Sequence, residues 1–369
     1  MSDDPQQEYF SDGITEQIIS SLAKVPKLLV IARNSTFTYK GKPVKVQQVA
    51  KELGVQYVLE GSVQKSGDRV RITAQLIDAK TGNHIWSENY DRDVKDIFAL
   101  QDEITMKIIT AVQVKLTDGE KARVRAKGTE SRQAYESYMQ ALKLLRNYSK
   151  EEVHQARKDL NEVISLDPGW SNPYAFQAWT HLWDVWRRWS KSPPQSIQKA
   201  EKLALKAVSL DDESSMAHAI LCHVYLLKRK HDQSIAEGRH AVALAPNSSM
   251  AYTFLGTALS FAGELKEAVS VLKTAIRLNP LPDAGPYFQL GFAYRDLGQY
   301  DKAIAACKTA IDISPNLLLP HTVLTSIYSI AGREKEARAQ AKEVLRINPN
   351  FSVGSFSKII PYKKKADKD

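Results

Sequence analysis

Residues Ser249 to Pro280 read SMAYTFLGTALSFAGELKEAVSVLKTAIRLNP. Tyr252, Leu255, Gly256 and Leu259 recur at helical spacing in the first half, and Ala268, Leu272 and Ala275 in the second. The stretch therefore predicts two helices, each with one apolar face. Gly256 and Ala268 carry almost no side chain, so the two helix axes can approach closely. Gly263 is placed to end the first helix. Pro280 stops the second, because its ring removes an N–H and clashes with the preceding turn. The unit is an antiparallel helical hairpin.

Outward from this unit the hairpin recurs. Asp167, Asp211, Ala245, Asn279, Ser314 and Asn348 succeed one another at intervals of 44, 34, 34, 35 and 34 residues, and a second column, Ala156, Ala200, Ser234, Ala268, Ala303 and Ala337, has the same intervals. Two columns in one register predict an array over 133–350, with hairpins at 133–168, 172–212, 215–246, 249–280, 284–315 and 318–349. Tyr287, Leu290, Gly291, Tyr294, Gly298, Ala303 and Ala310 repeat the pattern in the fifth hairpin. In the third, Gly238 replaces a large apolar residue, which predicts looser packing. About ten extra residues enlarge the second, where Asn172-Pro173 opens a helix predicted to run to Pro193-Pro194. Trp179, Trp183, Trp186 and Trp189 form one stripe along it. Either the stripe packs against a neighbouring repeat or the first domain, or with Arg187 and Arg188 it is an exposed aromatic anchor for a partner.

The W/Y, L-G, Y, A, A and P columns resemble the tetratricopeptide repeat consensus. That resemblance implies a right-handed α-solenoid whose first helices line a groove for a peptide or helix. In its register Met216, Ala219, His223, Thr253, Thr257, Phe288, Phe292, Arg295, Thr322 and Ser326 are expected to face the groove. These positions lack the Lys/Asn pairs with which similar repeats clamp a terminal carboxylate, which weighs against an acidic C-terminal tail as ligand. Phe288 and Phe292, one turn apart beside Arg295, favour a partly apolar segment.

Before the array the period changes. Ile14, Ile18, Ile19 and Leu22 predict a helix, Leu28 to Ile31 a short buried strand, and Val46 to Leu53 a helix ended by Gly54. Tyr57–Lys65 and Arg69–Ala79 alternate as strands about a Ser66-Gly67-Asp68 turn, Ile85–Tyr90 is a third strand, and a helix runs from about Asp96 to Val112. This is an α/β domain, a mixed sheet with flanking helices, over 1–118. A linker helix is expected over 119–132, and a capping segment with a basic tail over 351–369.

The words Asp4-Pro5, Tyr9-Phe10-Ser11-Asp12-Gly13-Ile14, Val58-Leu59-Glu60-Gly61-Ser62 and Phe98-Ala99-Leu100-Gln101-Asp102-Glu103 resemble the TolB-like amino-terminal domain. Followed by tetratricopeptide repeats, it resembles the regulatory region downstream of the catalytic domain in bacterial class III adenylate/guanylate cyclases. The same pair follows winged-helix or kinase domains in other signalling proteins. Family members begin with an apolar strand ahead of the Asp-Pro segment, which implies that this chain is part of a longer protein.

The formal charge of +9 does not mark a nucleic-acid binder, since it is spread over local clusters such as Lys228-Arg229-Lys230 and Lys363-Lys364-Lys365, ordinarily solvated faces. Two cysteines, Cys222 and Cys307, make neither a disulfide framework nor a four-ligand zinc site and fit a bacterial cytoplasm. No apolar run reaches membrane-spanning length. Gly41-Lys42 lacks the rest of a phosphate-cradling loop, the eight histidines form no H-E-x-x-H, and Asp12 and Glu16 read as helix-start acids. No catalytic residue, metal or cofactor is expected. The expectation is a non-catalytic protein-interaction and regulatory module whose partner is a protein or peptide segment, or a cyclase or other signalling domain in the same chain or complex. Its alternatives are a cyclase's regulatory fragment and a DNA-associated regulator without its winged helix.

Overall fold

The computed structural model describes residues 5–124, 128–145, 149–281 and 283–363. Met1 to Asp4, with part of the Asp4-Pro5 motif, and Lys364, Lys365 and the rest of the basic tail lie outside the described residues. The chain forms two compact units, Met1–Ala217 with Leu244–Asn247, and His218–Ala243 with Ser248–Asp369.

The first unit opens with α1 (Pro5–Ala23), the short α2 (Arg33–Thr36) and α3 (Val46–Leu53), which Gly54 ends at φ 64°. Three antiparallel strands follow, β1 (Tyr57–Ser66), β2 (Arg69–Asp78) and β3 (His84–Asp93), with β2 central. Tyr57 pairs with Asp78 and Ser66 with Arg69 about the predicted turn. The helix α4 (Ile97–Ala111) then covers the face bearing Val70, Ile72, Ala74 and Leu76. Among the described residues the sheet is antiparallel, and the strand expected at Leu28–Ile31 is not formed. There Leu29 is 44 % exposed, and the Val30 amide donates to the Asn247 side-chain oxygen rather than to a neighbouring strand. A short apolar run can be a buried strand or a coil that buries single residues, and its periodicity does not distinguish them.

Helix α5 (Asp118–Val124) forms the start of the expected linker helix, of which residues 125–127 lie outside the described residues and 128–131 are not helical. The hairpins α6 (Arg132–Leu145) with α7 (Lys150–Leu166) and α8 (Ser171–Trp186) with α9 (Pro193–Leu210) complete the unit. Its core runs unbroken from the α/β elements into these hairpins. Phe98 meets the Tyr135 and Trp170 rings edge-on at 5.1 and 6.2 Å, and Tyr138 lies 4.4 Å from Trp170. Gly13 lets α1 close on α6, since a Cβ there would fall on the Met139 sulfur.

The second unit holds α10 (Ser215–Leu227) from His218 onward, α11 (His231–Leu244) as far as Ala243, α12 (Ser249–Ala262), α13 (Leu265–Leu278), α14 (Ala284–Asp296), α15 (Tyr300–Ile313), α16 (Leu318–Ile330), α17 (Glu334–Ile347) and α18 (Val353–Ile359). The first helices lie side by side, α12 against α14 and α14 against α16, and each packs on its own second helix. The alanine column is buried throughout. At Gly256 a Cβ would sit 2.6 Å from Leu272 Cγ, and at Gly291 a Cβ would overlap the Cys307 sulfur, so these glycines set the helix separation. Gly238 is also tight, contrary to the looser packing expected: its Cβ would lie 3.1 Å from Cys222 Sγ and 3.2 Å from Leu255 Cα. The missing side chain is compensated by closer approach of the neighbouring helices.

Candidate functional site

The first helices of the third, fourth and fifth hairpins end alike. Arg229, Gly263 and Gly298 have φ of 58°, 87° and 71°. The next amide closes each helix, with Lys230 N on Tyr225 O, Glu264 N on Leu259 O and Gln299 N on Tyr294 O, all at 2.9 Å. Glycine takes this left-handed conformation without strain, and arginine does not. The strained residue directs a guanidinium at a distant backbone. Arg229 Nη2 donates to Ile360 O at 2.8 Å and Nη1 to Tyr362 O at 3.0 Å.

The segment so held, Ile360 to Lys363, is read along its length. Ile360 and Tyr362 pack with Leu226 and Phe261 in one apolar cluster, the Tyr362 ring meeting Phe261 edge-on at 5.0 Å. The Tyr362 hydroxyl donates to Asp296 Oδ2 at 2.9 Å and accepts from Arg295 Nη2. Arg295 also lies over the Phe292 ring, 4.9 Å from its centre. The Lys363 amide donates to Phe261 O at 2.9 Å, satisfying one of the last carbonyls of α12, and its ammonium reaches Asp232 at 2.9 Å. Burial pushes the Tyr362 phenol above its ordinary range. Burial works against the Arg295 charge, but the Tyr362 and Asp296 oxygens more than offset it and raise its pKa. Beside the tyrosine lies a cleft of about 580 Å³ lined by Arg229 to Gln233, Tyr362 and Lys363. In it His231 is 5 % exposed, and neither ring nitrogen has a hydrogen-bond partner among the described residues. Burial, with Lys363 and Arg229 nearby, lowers its pKa, so the imidazole is neutral at pH 7.

Of the residues expected to face the groove, Arg295 touches this segment and Phe292 lies beside it, 6.0 Å from the Phe261 ring. Phe288 lies 6.4 Å from the Phe292 ring. Ala219, His223 and Thr257 are buried, His223 against Phe254 at 4.5 Å with its pKa pushed down to about 3 by burial. Thr253, Thr322 and Ser326 are half-buried and donate to carbonyls of their own helices, and Met216, also half-buried, falls in the first unit. Leu226, Arg229, Phe261 and Asp296 are not among the expected residues. Their sequence signal is an arginine in a column that is otherwise glycine in the fourth, fifth and sixth hairpins, the last at Gly332.

The tryptophan stripe divides. Helix α8 stops at Trp186, Arg188 turns left-handed at φ 58°, and the Trp189 amide folds back onto Asp184 O at 2.8 Å. Trp189 is therefore off the helix. Pro193-Pro194 opens α9 rather than stopping α8, because proline is tolerated in a first turn, whose N–H groups have no helical partner. All four tryptophans are half-buried, and Trp183 and Trp189 pack on the first unit's core. Asp12 is not at a helix start but in the middle of α1, ion-paired with Arg33 at 3.4 Å and with Lys40. Burial pushes both cysteine thiols up to about 12, which makes them unreactive. Among the described residues no group of three or more His, Cys, Asp or Glu could hold a metal ion, and no helix is long and apolar enough to cross a membrane.

Two of the hairpins now have a name. Residues 251–280 and 285–317 match tetratricopeptide repeat models. Residues 4–107 match the model of the second domain of HilA/YgeH-like transcriptional regulators, in place of the TolB-like domain that the sequence resembles. The chain is similar to "Putative adenylate cyclase 3" of Rhizobium meliloti (strain 1021), 42 % identical over 234 residues, which cover 63 % of this chain and 40 % of that protein. It is 23 % identical to the transcriptional regulator HilA of Salmonella typhimurium over 211 residues, 56 % of this chain and 37 % of HilA. A thermophilic TPR protein of Thermus thermophilus aligns at a TM-score of 0.39 and 29 % identity over 42 % of this chain and 85 % of its own. The chain thus spans less than half the length of each of the two curated relatives.

Proposed function

We propose that the chain is a non-catalytic interaction and regulatory module of a bacterial signalling protein, with a regulatory α/β domain over 1–118 and a partner-binding repeat array over 133–350. One observation carries the reading: the ends of α10, α12 and α14 hold a non-helical backbone segment through Arg229, the Phe261 carbonyl, and Arg295 with Asp296. Paired carbonyl capture with alternating apolar and aromatic contacts is how a surface reads a peptide rather than a small molecule. Buried free thiols suit a reducing cytoplasm.

The regulated activity is that of an adenylate cyclase in the same chain or complex, a reading favoured by the 42 % identity to the Rhizobium meliloti protein. A chimera in which this chain replaces the matching region of that protein tests it. Deleting the region is expected to change cyclic AMP production, and the chimera to restore it. Equal rates with and without the region would sink the regulatory role. A second reading, part of a transcriptional regulator, is favoured by the match over 4–107. The chain itself is then expected not to bind DNA at physiological salt, since its basic residues lie in dispersed clusters. Tight binding with a steep salt dependence would reverse that expectation.

A further inference from the structure

A segment that follows the last hairpin of a repeat array ordinarily covers the apolar face that hairpin leaves open. Ile360 to Lys363 do something else. Their contacts fall on Leu226 and Arg229 at the end of α10, Asp232 at the start of α11, Phe261 on α12, and Arg295 and Asp296 on α14. They therefore reach back across the third, fourth and fifth hairpins. Their mode is that of a bound ligand: two carbonyls on one guanidinium, one amide on a helix-terminal carbonyl, and a side chain whose hydroxyl both donates and accepts.

We infer that this surface is a reader of aliphatic-Pro-Tyr segments, that Ile360-Pro361-Tyr362 is its resident occupant, and that a partner protein carrying the same pattern displaces it. The inference rests on the interaction-module reading and gives that site its specificity. Each part of the pattern has a counterpart. Leu226 and Phe261 take the aliphatic residue, Arg229 takes the two carbonyls that flank the proline, and Arg295 with Asp296 distinguishes tyrosine from phenylalanine. Proline fits because it has no N–H to satisfy and its preset backbone lowers the ordering cost.

The resident is an imperfect ligand. Among the described residues it leaves both nitrogens of buried His231 without a hydrogen-bond partner in the cleft next to Tyr362, and an unmade hydrogen bond on a buried polar group is costly. A partner segment with a hydroxyl, amide or carboxylate side chain beside its tyrosine can supply that bond, which gives displacement a driving force. Tethering works the other way, since an attached occupant competes at a high effective concentration. The device is an intrasteric plug that yields to a better-matched ligand.

The test uses the full chain and a dye-labelled peptide SFSKIIPYKK, the sequence of residues 355–364, followed by fluorescence anisotropy. The double variant Ile360→Ala/Tyr362→Ala removes the occupant and keeps the reader. It is expected to bind the peptide at least about tenfold tighter than the unaltered chain, whose tethered segment competes. A peptide with phenylalanine for tyrosine should lose most of this gain, and adding Arg229→Gly to the double variant should abolish binding. Glycine suits the left-handed backbone there, so this substitution isolates the guanidinium. Equal affinity of the unaltered and double-variant chains, or no binding by either, overturns the inference. So does concentration-dependent dimerisation of the unaltered chain that disappears in the double variant, which would make the partner a second copy. If the double variant loses helicity, Tyr362→Phe alone replaces it, with the same order of affinities expected. An absent peptide signal together with a cyclase that still responds to deletion of the region would refute the plug while leaving the regulatory module standing.

Discussion

The two compact units handle aromatic residues in opposite ways. In the first, Phe10, Phe98, Tyr135, Tyr138 and Trp170 face one another in a closed cluster, with sequence-distant helices meeting inside it. In the second, Phe261 and Phe292 lie at the ends of neighbouring first helices, and Phe261 is covered by Tyr362 from a short segment whose packing is joined by hydrogen bonds and one ion pair. The first arrangement is permanent because its removal opens a core. The second can be exchanged, because the cover is a short stretch of chain that any segment of similar chemistry could replace. Packing therefore marks where the molecule is built, and polar anchoring marks where it can be used.

The largest expected effect breaks the closed cluster. Trp170→Ala should destabilise the first unit by about 3–5 kcal/mol, as a buried tryptophan leaves a cavity its neighbours cannot fill. Urea unfolding should separate into two transitions, with the later one unchanged. A single transition shifted as a whole would mean that the units do not melt independently.

Acid should act next, through His223 in the second unit. Its folded-state pKa of about 3 lies below the ordinary value near 6.5, so the unfolded chain binds a proton that the folded one refuses. Its contribution is fully present above about pH 6.5 and is lost as the pH falls towards 3, a loss of up to about 3 kcal/mol by pH 4. His181 in the first unit, lowered to about 4 mainly by burial, adds a smaller loss in the same direction. Replacing His223 by glutamine should flatten the stability profile between pH 6.5 and 4, and an unchanged slope would assign the acid sensitivity elsewhere.

Two glycines make smaller probes of the second unit. Gly256→Val forces Leu272 aside and should cost about 1–3 kcal/mol by over-packing, read as a lower urea midpoint. Gly263→Ala meets open space but keeps φ at 87°, so its cost of about 1 kcal/mol is purely conformational. If the alanine proved the more damaging, backbone strain rather than helix separation would dominate this unit.

Much of this was legible in the sequence because helical hairpins state their packing locally. Ala156 through Ala337 form one buried column, and Gly256 and Gly291 are close approaches that a 34-residue register exposes. The same locality explains a variation within that register. His218 and His321 stand in the column of Tyr252 and Tyr287, and each hydrogen-bonds the second helix of its own hairpin, at Glu237 and Gln340. Less was legible where the outcome depended on distant partners. The coil at Leu28–Ile31 is set by Asn247, far along the chain, and the end of α8 by backbone bonds to Asp184 rather than by the prolines that follow it. The candidate site was only half visible. Phe292 and Arg295 follow from the register, whereas Arg229 shows only as an arginine in a glycine column, and its left-handed backbone gives that substitution its meaning.

Hydrogen exchange at the Lys363 amide reports whether the segment is seated, because that amide is bound to Phe261 O only then. Exchange there should be slowed roughly a hundredfold relative to a free peptide, with the protection lost in Arg229→Gly/Arg295→Ala while the α12 amides stay protected. Exchange at the free-peptide rate in the unaltered chain, with α12 intact, would contradict the seating.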